Sequence, residues 1–271
     1  SEMCIRDSCG IKVVASCVQF NSTATPGLDS TANGANGILE GAAALTADAQ
    51  GRSGLVGDRS LNLPGTFGSR VNVPKVGSLF DSISNNQKVT VEFWLHEAGA
   101  NNSTILDTSP ANQVKAHLPW SNSNDIYFDT GGCCGGNQRI NGTVPGASFQ
   151  NLWTHWAVVK DGANKAIYQN GVSVISGTGQ TANMAAINNF FFGTQANGSE
   201  TVTGRLDDVA VSEHDKPGTP EVAETLDAAD RPEAPKAPAA PEAIRVPEAP
   251  RKPPPPEAAD EPEDSIRPAP P

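Results

Sequence analysis

Through residues 9–214 the chain is written in short alternating runs. In VTVEFWLH (89–96), Val89, Val91, Phe93 and Leu95 fall on one face of an extended strand. KAIYQNGVSVIS (165–176) sets two β-prone runs around Asn170-Gly171, the dipeptide favoured in a type I′ hairpin turn. HWAVVK (155–160), INNFFFG (187–193) and GRLDDVAVS (204–212) also read as strands. GDRSLNLPGTFGSRVNVP (57–74) has strand patterning broken by Gly and Pro. No stretch carries sustained helical periodicity between caps. Many short strands predict an all-β fold, a two-sheet antiparallel sandwich or jelly roll.

Near Asp215 the pattern stops. Residues 215–271 are rich in Pro, Ala and Glu and nearly lack aromatic and large aliphatic residues. Such a stretch buries too little apolar surface to offset ordering, so a disordered, partly polyproline II spacer is expected. RKPPPPEA (251–258) also suits a proline-binding domain. At the other end, SEMCIRDS (1–8) reads as the in-frame translation of a transposase sequencing adaptor. Residues 1–8 are therefore expected to be an artefact, Cys4 not a natural residue, and the sequence a fragment with neighbouring domains. The domain expected to fold is residues 9–214.

Composition narrows the functions. A net charge of -11 opposes sequence-independent nucleic-acid binding, where Lys and Arg must neutralise phosphates. No run of about 18 apolar residues is present, so no membrane-spanning helix is expected. With charged residues at 18%, and Gly and Asn abundant, the mix suits turns between strands better than helices.

Five stretches together resemble the laminin G-like, concanavalin A-like lectin and glucanase family: LDSTANGANGILEG (28–41), GDRSLNLPG (57–65), KVTVEFWLH (88–96), WTHWAVVKDGANKAIYQNGVSV (153–174) and FFGTQANGSETVTGRLDDVAV (191–211). The resemblance spans about residues 18–212 and implies two antiparallel sheets face to face. It places Trp94, Trp153 and Trp156 in the core or at a sheet rim. The family pattern often continues past its last strand, whereas here SEHDKPG leads straight into the tail. The likeness speaks for fold and weakly for function, because such sandwiches host unrelated activities.

Three kinds of site are weighed. For calcium, DSTANGAN (29–36) offers Asp29, Asn33 and Asn36, and GRLDD offers Asp207 and Asp208; hard cations take such oxygens. In the resembled family a loop of the first kind often lies near the last strand. Leu206, Val209 and Val211 break strict period two, which predicts a β-bulge at the Asp pair. The alternative is a solvated turn beside surface carboxylates. For catalysis, retaining glycosidases need two carboxylates about 5–5.5 Å apart. Glucanase relatives carry them as E-x-D-x-E or E-x-D-x-x-E, and neither occurs in residues 9–214. Glu92 and Glu97 stand alone, and His96, His117, His155 and His214 lack partners at metal spacing. A non-enzyme is expected.

The third site is GGCCGGNQRI (131–140). Without Cys4, the cysteines are Cys9, Cys17, Cys133 and Cys134. Three states stay open. In the first, Cys133 pairs with Cys134 and Cys9 with Cys17; in the second, Cys133 and Cys134 staple the loop to Cys9 and Cys17; in the third, all are free buried thiols. Flanking glycines would absorb the unusual backbone of a vicinal ring, and similar GCCG…RI stretches recur in the resembled family. With Trp120, Tyr127 and Arg139 nearby, Cys133 and Cys134 form the expected ligand site. Asn21, Asn101, Asn102, Asn141 and Asn197 fit N-x-S/T but carry little weight in so Asn-rich a chain.

The reading that results is a non-catalytic extracellular or cell-surface module that binds carbohydrate or glycoprotein, with calcium as a stabilising ion. Two alternatives are a structural or adhesive surface or virion domain without sugar binding, and an accessory domain of a secreted polysaccharide-degrading enzyme.

Overall fold

The structure, a computed structural model, describes residues 13–213 apart from 32, 100–102 and 122. Residues 1–8, Cys9, the Pro-rich tail, Asn101, Asn102 and His214 lie outside the described residues. In chain order the strands are β1 (Val13–Gln19), β2 (Leu28–Asp29), β3 (Ile38–Glu40), β4 (Ala44–Leu45), β5 (Leu61–Pro64), β6 (Arg70–Pro74), β7 (Lys88–Gly99) and β8 (Leu106–Ser109). They continue as β9 (Val114–His117), β10 (Asp125–Thr130), β11 (Arg139–Thr143), β12 (Trp153–Asp161), β13 (Asn164–Gln169), β14 (Val172–Gly177), β15 (Asn189–Phe192) and β16 (Thr203–Glu213).

Two antiparallel sheets result. One runs β14-β13-β12-β7-β16-β1-β2, with β5 added on β16 and β4 on β5. The other runs β11-β10-β9-β8-β15-β6-β3. The alternating side chains of β7 enter the core: Val89, Val91, Phe93 and Leu95 are all buried. Opposite them Phe128, Phe190 and Phe192 point inward from the second sheet. Phe93 meets Phe192 edge to face, with centroids 6.1 Å apart. Each such fully buried side chain contributes roughly 1.5–3 kcal/mol of transfer free energy. This is the expected jelly-roll sandwich.

The hairpin forms where the pattern placed it. β13 pairs with β14 through Gln169 and Val172, and Asn170 and Gly171 turn with φ of 49° and 79°. Positive φ at both central positions is what a type I′ turn requires. The bulge in β16 also forms: its register against β7 slips between Asp207 and Ala210, and Asp208 has φ 46°. One short helix was not foreseen. α1 (Asp81–Asn86) buries only Ile83 and stops at Gln87, which is left-handed with φ 56°. Six residues are too few to show a helical period.

Candidate functional site

Strand alternation on the outer face of the second sheet builds the site. β10 sends Ile126 and Phe128 into the core and leaves Tyr127 and Asp129 on the far side. Register sets Tyr127 beside His117 and Asp129 beside Lys115 on β9. On β11, Arg139 stands directly opposite Asp129. Asp129 is fully buried and holds Arg139 through two bonds, Nε to Oδ1 at 2.7 Å and Nη2 to Oδ2 at 2.6 Å. Paired, charge-assisted bonds of this kind are strong and directional. They keep Arg139 protonated and lay its guanidinium over Tyr127, 4.5 Å from the ring centroid. Nη1 has no protein acceptor among the described residues.

Residues 131–138 join β10 to β11 across the top of this pair. Gly131 and Gly132 have φ of 66° and 125°, and their N–H groups donate to Gln113 O and Asn112 O. Cys133 and Cys134 are bonded to each other. Cys17 is disulfide-bonded on β1, in the other sheet; Cys9 lies outside the described residues. Of the open pairings, the vicinal one is the one present. Cys134 is exposed and Cys133 half-buried. Arg139 Nη2 lies 3.5 Å from Cys134 Sγ and 3.8 Å from Cys133 Sγ.

Three rings complete the face. Trp120 and His117 meet edge to face at 4.5 Å, His117 and Tyr127 at 6.0 Å, and Trp120 and Tyr127 at 6.4 Å. Trp120 and Tyr127 are half-buried, so part of each ring meets solvent. His117 is buried, and desolvation with the nearby Lys115 charge lowers its pKa to about 4. It is therefore neutral at pH 7. Its Nδ1 lies 3.1 Å from Ser103 O, which can only accept, so Nδ1 carries the proton. Thr104 Oγ1, 3.2 Å from the same nitrogen, donates to Glu200 Oε2 at 2.7 Å, and Lys115 Nζ pairs with that oxygen at 3.2 Å. Asp129 and Arg139, and Glu200 and Lys115, thus pair opposite charges, while Asp125, on the same strand as Asp129, accepts from the Thr143 hydroxyl.

All five ligand residues expected from the sequence, Cys133, Cys134, Arg139, Trp120 and Tyr127, fall on this face. Asp129, His117, Lys115 and Glu200 were missed. The signal existed for two of them: Asp129 is two residues from Tyr127 on an alternating strand, and His117 is two from Lys115. Only strand register shows that these pairs adjoin.

The calcium residues do not gather in this way. Asp29 Oδ1 accepts from Cys17 N at 2.9 Å and from Thr31 N at 3.0 Å. Oδ2 accepts from Ala35 N at 2.9 Å and from Thr31 Oγ1 at 2.8 Å. Asn36 Oδ1 accepts from Asp29 N, and Asn33 Nδ2 donates to Ala15 O. Asp207 Oδ2 accepts from Arg52 N, and its Oδ1 accepts from Asp208 N. Burial, with the Asp208 charge second, raises Asp207 to about 7. A calcium cage needs six or more oxygens turned to the ion; the carboxylate oxygens of Asp29 and Asp207 and the Asn36 Oδ1 already face N–H and O–H groups. Among the described residues no group of three or more His, Cys, Asp or Glu is placed to hold a metal.

On the outer face of the first sheet, Trp94 stacks between Arg52 at 4.6 Å and His155 at 5.2 Å. Trp153 sits between Arg205 at 5.3 Å and His96 at 5.5 Å. Both are half-buried on that outer face, Trp94 on the central strand β7 between His155 and Asp207 and so not at a rim as expected, whereas Trp156 is core. His155 Nε2 lies 3.7 Å from Glu92 Oε2, a proximity the linear spacing hid. Glu97 is buried without a hydrogen-bond partner for either oxygen among the described residues, and desolvation raises it to about 9.

The sequence profile of the concanavalin A-like lectin/glucanases superfamily matches residues 65–217. The chain belongs to this superfamily. Domains of known structure resemble it at low identity. It is similar to the binding domain of botulinum neurotoxin DC in complex with rat synaptotagmin II, with 17% identity and TM-score 0.57, over 75% of this chain and 49% of that one. The same toxin domain in complex with SialylT gives 16% identity and TM-score 0.55, over 75% and 48%. Domain 4 of AbnA, a GH43 extracellular arabinanase from Geobacillus stearothermophilus, solved with arabinotriose, gives 17% identity and TM-score 0.53, over 76% of this chain and 95% of that one. The chain spans about half the length of the toxin domains. No curated protein matches it in sequence. At these identities the likeness speaks for the fold.

Proposed function

We propose that the domain is a non-catalytic module of an extracellular or cell-surface protein that binds carbohydrate, free or on a glycoprotein, at the Cys133/Cys134/Arg139 face. The observation that carries this reading is the joint placement of partly exposed Trp120 and Tyr127 rings with a fixed guanidinium whose Nη1 has no acceptor among the described residues. Sugar C–H faces stack on aromatic rings, and ring hydroxyls accept from guanidinium N–H groups. The paired charges and neutral His117 favour an uncharged sugar over nucleic acid or a strongly anionic chain. Disulfides persist in oxidising compartments, which supports placement outside the cytoplasm. The similarity to an arabinanase domain over most of that domain's length favours one second reading, an accessory module of a polysaccharide-degrading enzyme.

The test is a glycan array probed with the chain in calcium, in chelator and in reductant. Binding is expected with calcium or chelator alike. Trp120→Ala and Arg139→Ala are each expected to weaken it about tenfold or more, the scale of losing one central contact. If both variants bind as well as the parent, the site lies elsewhere. If the parent binds no glycan, the module is adhesive or structural.

A further inference from the structure

The Cys133–Cys134 bond joins neighbours in sequence, so it closes no loop and constrains the unfolded chain little. Its surroundings are those of a reactive pair. One sulfur is exposed and the other half-buried, with a guanidinium nitrogen 3.5 and 3.8 Å away. A cation at that range stabilises a thiolate. The backbone points the same way. Cys134 has φ 76°, a conformation that costs a non-glycine residue free energy and persists only while something holds it. The residue's own N–H makes only a long contact, to Asp129 Oδ1 at 3.4 Å, among the described residues.

The geometry points to a reversible two-electron exchange centre at Cys133–Cys134 that reacts with an external dithiol and, on opening, switches the neighbouring face. The second half rests on the carbohydrate reading; the first does not. In the first step a thiolate of the dithiol attacks the exposed Cys134 Sγ. A new S–S bond forms, the Sγ–Sγ bond breaks, and the electron pair leaves on Cys133 Sγ. Arg139 holds that thiolate until it takes a proton from water. The second thiolate of the reductant then attacks its own sulfur in the mixed disulfide, and Cys134 leaves as a thiolate that is protonated in turn. The dithiol ends as its cyclic disulfide, and two electrons and two protons reside on the cysteine pair. Cys134 is then free to leave the left-handed region. Asp129 loses the Cys134 contact, and Arg139 faces two thiols in place of a closed ring.

The experiment titrates the full chain with dithiothreitol under native conditions, quenches with iodoacetamide and maps the labelled peptides by mass. The Cys17 disulfide is the internal control. Cys133 and Cys134 are expected to label at least about tenfold faster than Cys17, and Arg139→Gln is expected to slow their labelling about tenfold while Arg139→Lys keeps most of the rate. Labelling no faster than Cys17, or a rate unchanged in a folded Arg139→Gln chain, overturns the exchange centre. Should Arg139→Gln fail to fold, the comparison with Cys17 and the Lys variant decide. For the switch, reduction is expected to raise amide exchange across residues 131–139 and to weaken glycan binding about tenfold, with the far-UV circular dichroism unchanged. Equal glycan affinity before and after reduction overturns the switch. An oxidised chain that binds no glycan overturns the carbohydrate reading, while labelling and amide exchange still decide the exchange centre.

Discussion

Asp29 and Asp129 are both buried aspartates beside a glycine-bearing loop, and they do opposite things. Asp29 spends its lone pairs on the chain around it, accepting from Cys17 N, Thr31 and Ala35 N. Nothing is left to face outward, and the product is a shaped turn. Asp129 gives its two short bonds to one cation, Arg139, with only a long contact from Cys134 N besides, and Arg139 carries the interaction back to the surface beside two sulfurs and a tyrosine ring. A carboxylate satisfied by backbone donors builds fold. One satisfied by a long side chain with donors to spare builds a surface.

The largest expected effect lies on the first side of that contrast. Asp29→Ala leaves the buried N–H groups of Cys17 and Ala35 without their acceptor, and each costs about 1–3 kcal/mol. Thermal or urea unfolding is expected to show a loss of about 3–5 kcal/mol, with glycan affinity of the folded fraction unchanged. A loss under about 1 kcal/mol would mean water replaces the carboxylate, and the contrast would fail. The next effect lies on the other side. Asp129→Asn removes the charge that holds a partly buried Arg139, at about 1–3 kcal/mol. Here binding is expected to fall along with stability. Unchanged binding would show that the guanidinium needs no anchor.

The smallest effect is in pH. His117 has its folded pKa lowered from 6.5 to about 4. Between those values the unfolded chain binds the extra proton, so stability is lost as pH falls from 6.5 toward 4. The contribution is on the order of 1–3 kcal/mol across that window. Glu97, raised from 4.5 to about 9, has the opposite sign: its folded form keeps the proton, so it costs stability as pH rises from 4.5 to 9. His117→Gln is expected to flatten the acid limb of a melting-temperature profile and leave the alkaline limb alone. An unchanged acid limb would remove His117 from the face's electrostatics.

Much of the architecture was legible because a strand's signal is local. Val89 to Leu95 alternate within one short stretch, and Asn170-Gly171 specifies its own turn. The bulge at Asp207 and Asp208 showed as a break in that same period. α1 left no trace because it is shorter than the window that would reveal it. The residues of the candidate face were legible as a neighbourhood, since Cys133, Cys134 and Arg139 lie within a few positions of one another.

What the chain determined by itself was the set of strands, their turns and the adjacency of two cysteines between glycines, all properties of a few consecutive residues. The tertiary structure decided which cysteine pairs with which. It set β1 in one sheet and the 131–138 loop on the other, and so left each sulfur of the loop only its neighbour. It also decided that Arg139 meets Asp129, that Glu200 reaches Lys115 and Thr104, and that Asp29 faces inward. These contacts depend on the register of strands brought together from far apart in sequence, and register comes from packing two apolar faces into one core, which no short stretch encodes.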